Sequence, residues 1–168
     1  MLTPAYVDSL AAVYPSTSAA SYLAALGLKV GQLYQVPNTS KVGMFVQAYA
    51  SASESLKVGA MCYLQNHNPN APVVDETQAA TSPLFGINDN APAAVPAGSY
   101  FFLTVNGPCQ VLSSDGDAAD TYEVPSATAG TGANASAYSV HQANKCLLLV
   151  ANSSGAAALR AAWLFGGI

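Results

Sequence analysis

The stretch AVPAGSYFFLTVNGPCQVL, residues 94–112, decides the fold class. It holds two short runs rich in aromatic and β-branched residues, Ser99 to Val105 and Cys109 to Leu112, parted by Asn106-Gly107-Pro108, a triplet that ends regular structure. Gly98 stands where the chain reverses with positive φ before an aromatic-bearing strand, so the stretch reads as a turn feeding one strand and then another. Tyr100, Phe101, Phe102 and Leu103 follow one another without alternation, which asks for cover on both faces of the strand.

Working outward, the same texture begins at Leu28: apolar runs broken by Gly, Pro and Asn every eight to fifteen residues, the mark of an all-β sandwich or barrel. The candidate strands are Gly31 to Val36, Met44 to Ala50, Ala60 to Gln65, Ser99 to Val105, Cys109 to Leu112, Tyr122 to Val124, Lys145 to Ala151 and Ala161 to Phe165. LKVGQLYQV at residues 28–36 is echoed by LKVGAMCYL at 56–64 and more loosely by AVPAGSYFFL at 94–103, each a turn glycine (Gly31, Gly59, Gly98) ahead of a strand. Leu147 to Val150 form a second unbroken apolar run. Such strands point to an oligomer in which protomers cover one another's outer faces, or to a helix that covers one of them.

That helix is expected after Ser16 to Ser18, whose hydroxyls suit an N-cap. Tyr22, Leu23 and Leu26 recur at helical spacing, and Gly27 suits the left-handed position after the last turn. Residues 1–15, with Pro4, Tyr6, Tyr14 and Pro15, show no period and read as an extended arm. The expected organisation is therefore an arm and short helix over 1–27 and a small β-barrel or β-tulip-like domain over 28–168, mainly β throughout. Leu159, Ala162 and Trp163 also fit a helical stripe, but Trp163-Leu164-Phe165 before two glycines favours a closing strand, with Trp163 buried.

Composition narrows the function. Only 8% of the 168 residues are charged while 51% are hydrophobic, against about 25% charged in an average soluble domain. A surface this poor in charge suits a subunit whose faces are covered by neighbours. The five basic residues, Lys29, Lys41, Lys57, Lys145 and Arg160, are scattered along a chain of net charge -4, so a nucleic-acid partner is not expected. No apolar run approaches the roughly 18 residues that span a bilayer, and the start lacks the basic segment of a secretory signal, so no membrane partner or export is expected either.

Groups able to do chemistry are few. His67 lies in the turn-rich QNHNPNAP and His141 in SVHQAN, and neither stands in a catalytic motif. Cys62, Cys109 and Cys146 are far apart, sit among apolar neighbours and read as small buried hydrophobes. Four of the nine acidic residues, Asp115, Asp117, Asp120 and Glu123, cluster in DGDAADTYE, which reads as a solvated loop without the ligand order of a calcium site. The glycines of TAGTGANAS (Gly130, Gly132) are not followed by the Lys-Thr of a phosphate loop. The expectation is a non-enzymatic protein with no cofactor and no metal.

With LKVGAMCYL, PLFGINDNAPAAVPAGSYFFLTVNGPCQVL, KCLLLVA and the final aromatic strand taken together, the chain resembles the head decoration, or capsid cement, proteins of tailed bacteriophages. The resemblance is carried by Gly86-Ile87, Gly98-Ser99-Tyr100 and Gly107-Pro108-Cys109, and it spans about residues 28–165. It implies a β-barrel or β-tulip protomer, commonly a homotrimer, seated on the outside of the mature head with the major capsid protein lattice as partner and the virion surface as its place after synthesis in the host cytoplasm. No catalytic residue comes with it. The N-terminal helix and arm depart from the plainest members. Two other functions fit the same composition: a head-fibre or tail-associated β-module of a virion, and a carbohydrate-binding β-sandwich module that stacks sugars on exposed Tyr or Trp163.

Overall fold

A computed structural model of the chain describes residues 12–14, 19–49, 55–66, 68, 71–77, 83–89, 94–114, 116, 118–134, 145–153 and 155–166. The architecture is mainly β with one short helix. The helix, α1, is Ala19–Ala25, and the strands are β1 Leu33–Gln35, β2 Val42–Ala48, β3 Ser55–Leu56, β4 Ala60–Asn66, β5 Val73–Glu76, β6 Gly86–Asn88, β7 Val95–Pro96, β8 Tyr100–Ser113, β9 Tyr122–Pro125, β10 Gly132–Asn134, β11 Lys145–Leu148 and β12 Ala158–Phe165.

The stretch that reads as two strands is one. β8 runs 14 residues and turns at Gly107, where φ is +96°. A β-carbon there would collide with the carbonyl of Ser40, so the position needs glycine both for its backbone angle and for the close approach of the neighbouring chain. Opposite the turn, the β2 register shifts between Val42 and Gly43, a bulge of the kind that bends a strand. The bend splits the odd-numbered residues between two cores. Phe101, Leu103 and Val105 enter the first with Met44, Val46, Ala48, Cys62 and Val74. Cys109 and Val111 enter the second with Met61, Ile87, Cys146, Leu148, Ala162 and Leu164.

Two lobes grow from this shared strand. In the first, neighbours run β8-β2-β5-β4-β6 and back to β8. In the second they run β8-β12-β11-β9-β10 and back to β8. Among the described residues β6 and β10 each meet β8 at a single register position, Ile87 opposite Thr104 and Gly132 opposite Ser113. The sheet is not closed into a clear barrel, but the small, mainly β domain with one short helix that the sequence predicts is present, and its 14-residue strand, bent at the middle, serves two cores. Asp89 fixes the bend. Its carboxylate accepts from Lys41 Nζ at 2.7 Å, from the Thr104 hydroxyl at 2.6 Å and from the Gln110 N–H at 3.2 Å, gripping β8 on either side of Gly107.

The unbroken run Tyr100 to Leu103 finds its cover inside the molecule. Phe101 and Leu103 fill the first core, and Phe102 turns outward into a separate cluster with Phe45, Leu23 and Leu28. The two rings meet edge to face at 5.3 Å, a geometry that adds about 1 kcal/mol to the burial itself. Helix α1 is thus the lid on the outer face of β2 and β8. It stops where the sequence says it should: the Leu28 N–H reaches back to the Leu23 carbonyl at 2.8 Å and the Gly27 N–H to Ala24 at 3.0 Å, with Gly27 at φ +73°, a Schellman ending whose two leucines pack on each other. The capping hydroxyls of residues 16–18 lie outside the described residues.

Of the expected arm, only residues 12–14 are described, and they belong to the fold. The Tyr14 and Tyr100 main chains exchange hydrogen bonds at 2.8 Å each way, Val13 packs on the first core, and the Tyr14 ring lies 5.2 Å from Tyr22. The closing strand is present as β12, three residues longer at its start than the sequence indicates.

Candidate docking face

Among the described residues the second lobe has no counterpart of α1. Its inward side is apolar: Cys146 and Leu148 of β11 and Ala162 and Leu164 of β12 are at most 1% exposed. Alternation then sends Leu147, Leu159, Ala161, Trp163 and Phe165 outward. Register lines them up. Tyr122 of β9 lies opposite Leu147 of β11, Leu147 opposite Trp163 of β12, and Trp163 opposite Pro108 of β8, a row crossing four strands. Beside it, Leu159 faces Leu112, the Leu149 N–H bonds the Ala161 carbonyl at 2.9 Å, and the Phe165 ring stands 6.3 Å from that of Trp163.

Exposure identifies this face. Tyr122 is 37% exposed, Leu149 43%, Val150 51%, Leu159 39% and Phe165 44%, while Trp163 and Leu147 are half-buried. Large side chains offering about 150–250 Å² each when fully free put such a patch at several hundred Å², the scale at which exposed apolar surface marks an interaction site. The expectation of a buried Trp163 is corrected: β12 points Ala162 and Leu164 into the core, and the residue between them must point out. Among the described side chains of this face none is charged. Arg160, on the same strand, folds its guanidinium onto the Asn152 side chain at 2.9 Å and the Ala151 carbonyl at 3.2 Å instead.

The other sequence candidates that are described lie elsewhere. His67 and His141 lie outside the described residues, as do Asp115 and Asp117. Asp120 stands exposed in a turn at φ +58°. Glu123 sits in β9, as the candidate strand Tyr122 to Val124 predicts, but it is not solvated with the acidic cluster: it is 1% exposed and accepts the Ser113 hydroxyl at 3.2 Å. Strand alternation buries it, whereas Asp120 is exposed. Among the described residues no three His, Cys, Asp or Glu side chains gather as a metal site would require.

All three cysteines are buried and free. Burial pushes the Cys62 thiol far up, helped by the negative charges of Glu76 and Asp75. A hydrogen bond with Cys109, then burial, raises Cys146. Thiols held neutral in this way are poor nucleophiles. Two buried carboxylates are tied to lysines, Asp89 to Lys41 and Glu76 to Lys57 at 3.1 Å, and hold strands and loops together. A cavity of about 240 Å³ opens on the first lobe between Met44, Leu64, Pro72 and Phe85, rimmed by Asn66 and Asn68. Those lining side chains offer no acid or base. Among the described residues no helix is long and apolar enough to cross a membrane.

Sequence reading locates two of the strands behind the face, from the aromatic run at the C-terminus and the apolar run Leu147 to Val150. It misses that Tyr122, Pro108 and Leu112 join them, because that depends on register and not on local pattern. No protein-family model matches the chain, and no curated protein is detectably similar to it.

Proposed function

We propose that this protein is a virion structural protein that docks on the outside of a phage head and stabilises the expanded capsid lattice, acting by binding and not by catalysis. The observation that carries the reading is the largely apolar outer face of β8, β9, β11 and β12, which runs across four strands, has no charge among its described side chains and is not covered by α1. Its motive in the sequence is the low charge and the resemblance to decoration proteins.

The physical mechanism is linkage. A protein that binds the expanded lattice and not its precursor favours expansion by mass action, and a trimer engaging several lattice sites at once gains avidity with no stronger single contact. A stable interface needs about 800 Å² from each partner, of which this apolar patch would form the centre. Co-sedimentation with expanded and precursor heads tests the reading. Selective recovery with expanded heads, lost in the Leu149→Glu/Phe165→Glu double variant, is the expected result. A protein that leaves heads unbound while remaining folded would overturn it.

The half-exposed position of Trp163 beside Phe165 favours one second reading, a carbohydrate-binding module with these rings as the stacking platform. A Trp163→Ala variant that keeps its fold and loses a glycan found by array screening would select that reading over docking on a capsid.

A further inference from the structure

We infer that the outer face of the first lobe carries a site for an organic cation, an ammonium or guanidinium group, built by Tyr49, Asp75 and Tyr63. The three stand side by side on neighbouring strands. Tyr63 lies opposite Asp75 in the antiparallel pair β4 and β5. The parallel register that sets Ala48 of β2 against Val74 of β5 carries on one step, with the Tyr49 N–H donating to the Val74 carbonyl at 2.8 Å. Burial settles which way they point: Ala48, Val74 and Cys62 are in the first core, whereas Tyr49 is 41% exposed and Asp75 and Tyr63 are half-buried. Neighbouring strands lie about 4.8 Å apart, so the two tyrosines are rooted about 10 Å from each other with the carboxylate between them.

That order of groups selects a ligand. The faces of aromatic rings carry negative quadrupole potential and attract cations. The carboxylate between them adds a full charge, which a neutral apolar guest does not exploit. Asp75 is held in position, because its Oδ1 accepts the Glu76 N–H at 2.8 Å. The site is also electrostatically coupled: burial, then Asp75, then Tyr49 raise the Tyr63 phenol above its ordinary value. The net charge of -4 on the chain draws cations toward the molecule as a whole. This site is separate from the docking face and does not depend on the function proposed for it.

Titration of the full chain with choline chloride, read on the tyrosine ring resonances with sodium chloride at matched ionic strength as control, tests the assignment. The expected result is a saturable shift that is about tenfold weaker or more for the neutral tert-butyl analogue of choline. Asp75→Asn keeps an acceptor for the Glu76 N–H, and Tyr49→Ala removes an exposed ring. Each is expected to retain the wild-type Tm and to weaken binding severalfold. N-acetylarginine amide in a parallel titration separates the two sources of such a cation: tighter binding than choline assigns a partner's side chain, weaker binding a free ammonium compound. Absence of saturation by both cations, equal binding of the neutral analogue, undiminished binding by Asp75→Asn, or saturation by methyl glycosides alone would each overturn the proposal.

Discussion

The two lobes meet the same problem and solve it differently. Each contains a run of four consecutive apolar or aromatic residues, Tyr100 to Leu103 in the first and Leu147 to Val150 in the second. In the first lobe α1 lies over the outward residue Phe102, which is 1% exposed. In the second the strand ends at Leu148, and Leu149 and Val150 stay 43% and 51% exposed beside Trp163 and Phe165. An apolar run states that both faces need cover. Whether the cover comes from the same chain depends on which strand a helix can reach, and among the described residues the one helix is that before β1. The uncovered lobe is where a partner has something to gain.

The contrast can be broken most forcefully at Phe102. Truncation to Ala should cost about 3 to 5 kcal/mol, because the ring fills the cluster beneath α1. Urea denaturation measures it, and a cost under about 1 kcal/mol would mean that the helix is not the lid described. Gly107→Ala comes next, at about 3 kcal/mol, combining an unfavourable φ with the collision at Ser40. Because both lobes share β8, a single cooperative transition should move as a whole. Loss of one lobe's signal before the other's would show that the bend does not couple them.

Alkaline pH gives a smaller and graded effect. The Cys62 and Cys146 thiols are raised above the ordinary cysteine value in the folded chain. Above about pH 9 the unfolded chain therefore releases thiol protons that the native state retains, and stability falls as pH rises, by about 1.4 kcal/mol per unit for each thiol. Denaturation midpoints at pH 8 and pH 10 check this, with Cys62→Ala expected to flatten the slope. An identical slope in that variant would contradict the assignment. The smallest effect on stability belongs to Phe165→Ala, under about 0.5 kcal/mol as at an exposed site, although docking should weaken markedly. A large drop in Tm with unchanged docking would reverse the roles given to the two faces.

Much of this fold is legible in the sequence, and what is missing has a common cause. The turn glycines Gly31, Gly59 and Gly98 all have positive φ ahead of strands, and Leu23 with Gly27 announces the helix and its end. The strands Val73–Glu76, Gly86–Asn88 and Gly132–Asn134 escape notice because three or four residues with Asp, Asn or Gly have no strand signature of their own. They form because neighbouring strands offer them hydrogen bonds. Glu123 misleads differently: its strand is legible, but three nearby aspartates make its carboxylate look solvated while its strand partners bury it. The docking face is half legible: Trp163 and Phe165 advertise a strand, but alternation around Ala162 and Leu164, small and apolar, decides that the large rings point outward.

Hydrogen exchange of the free and the head-bound protein tests the central claim most directly. The account predicts new protection on binding in peptides covering 145–149 and 159–165, with none gained over α1 at 19–28 or over β2 at 42–48. Protection gained on the α1 side, with the outer strands of the second lobe exchanging as in the free protein, would contradict it.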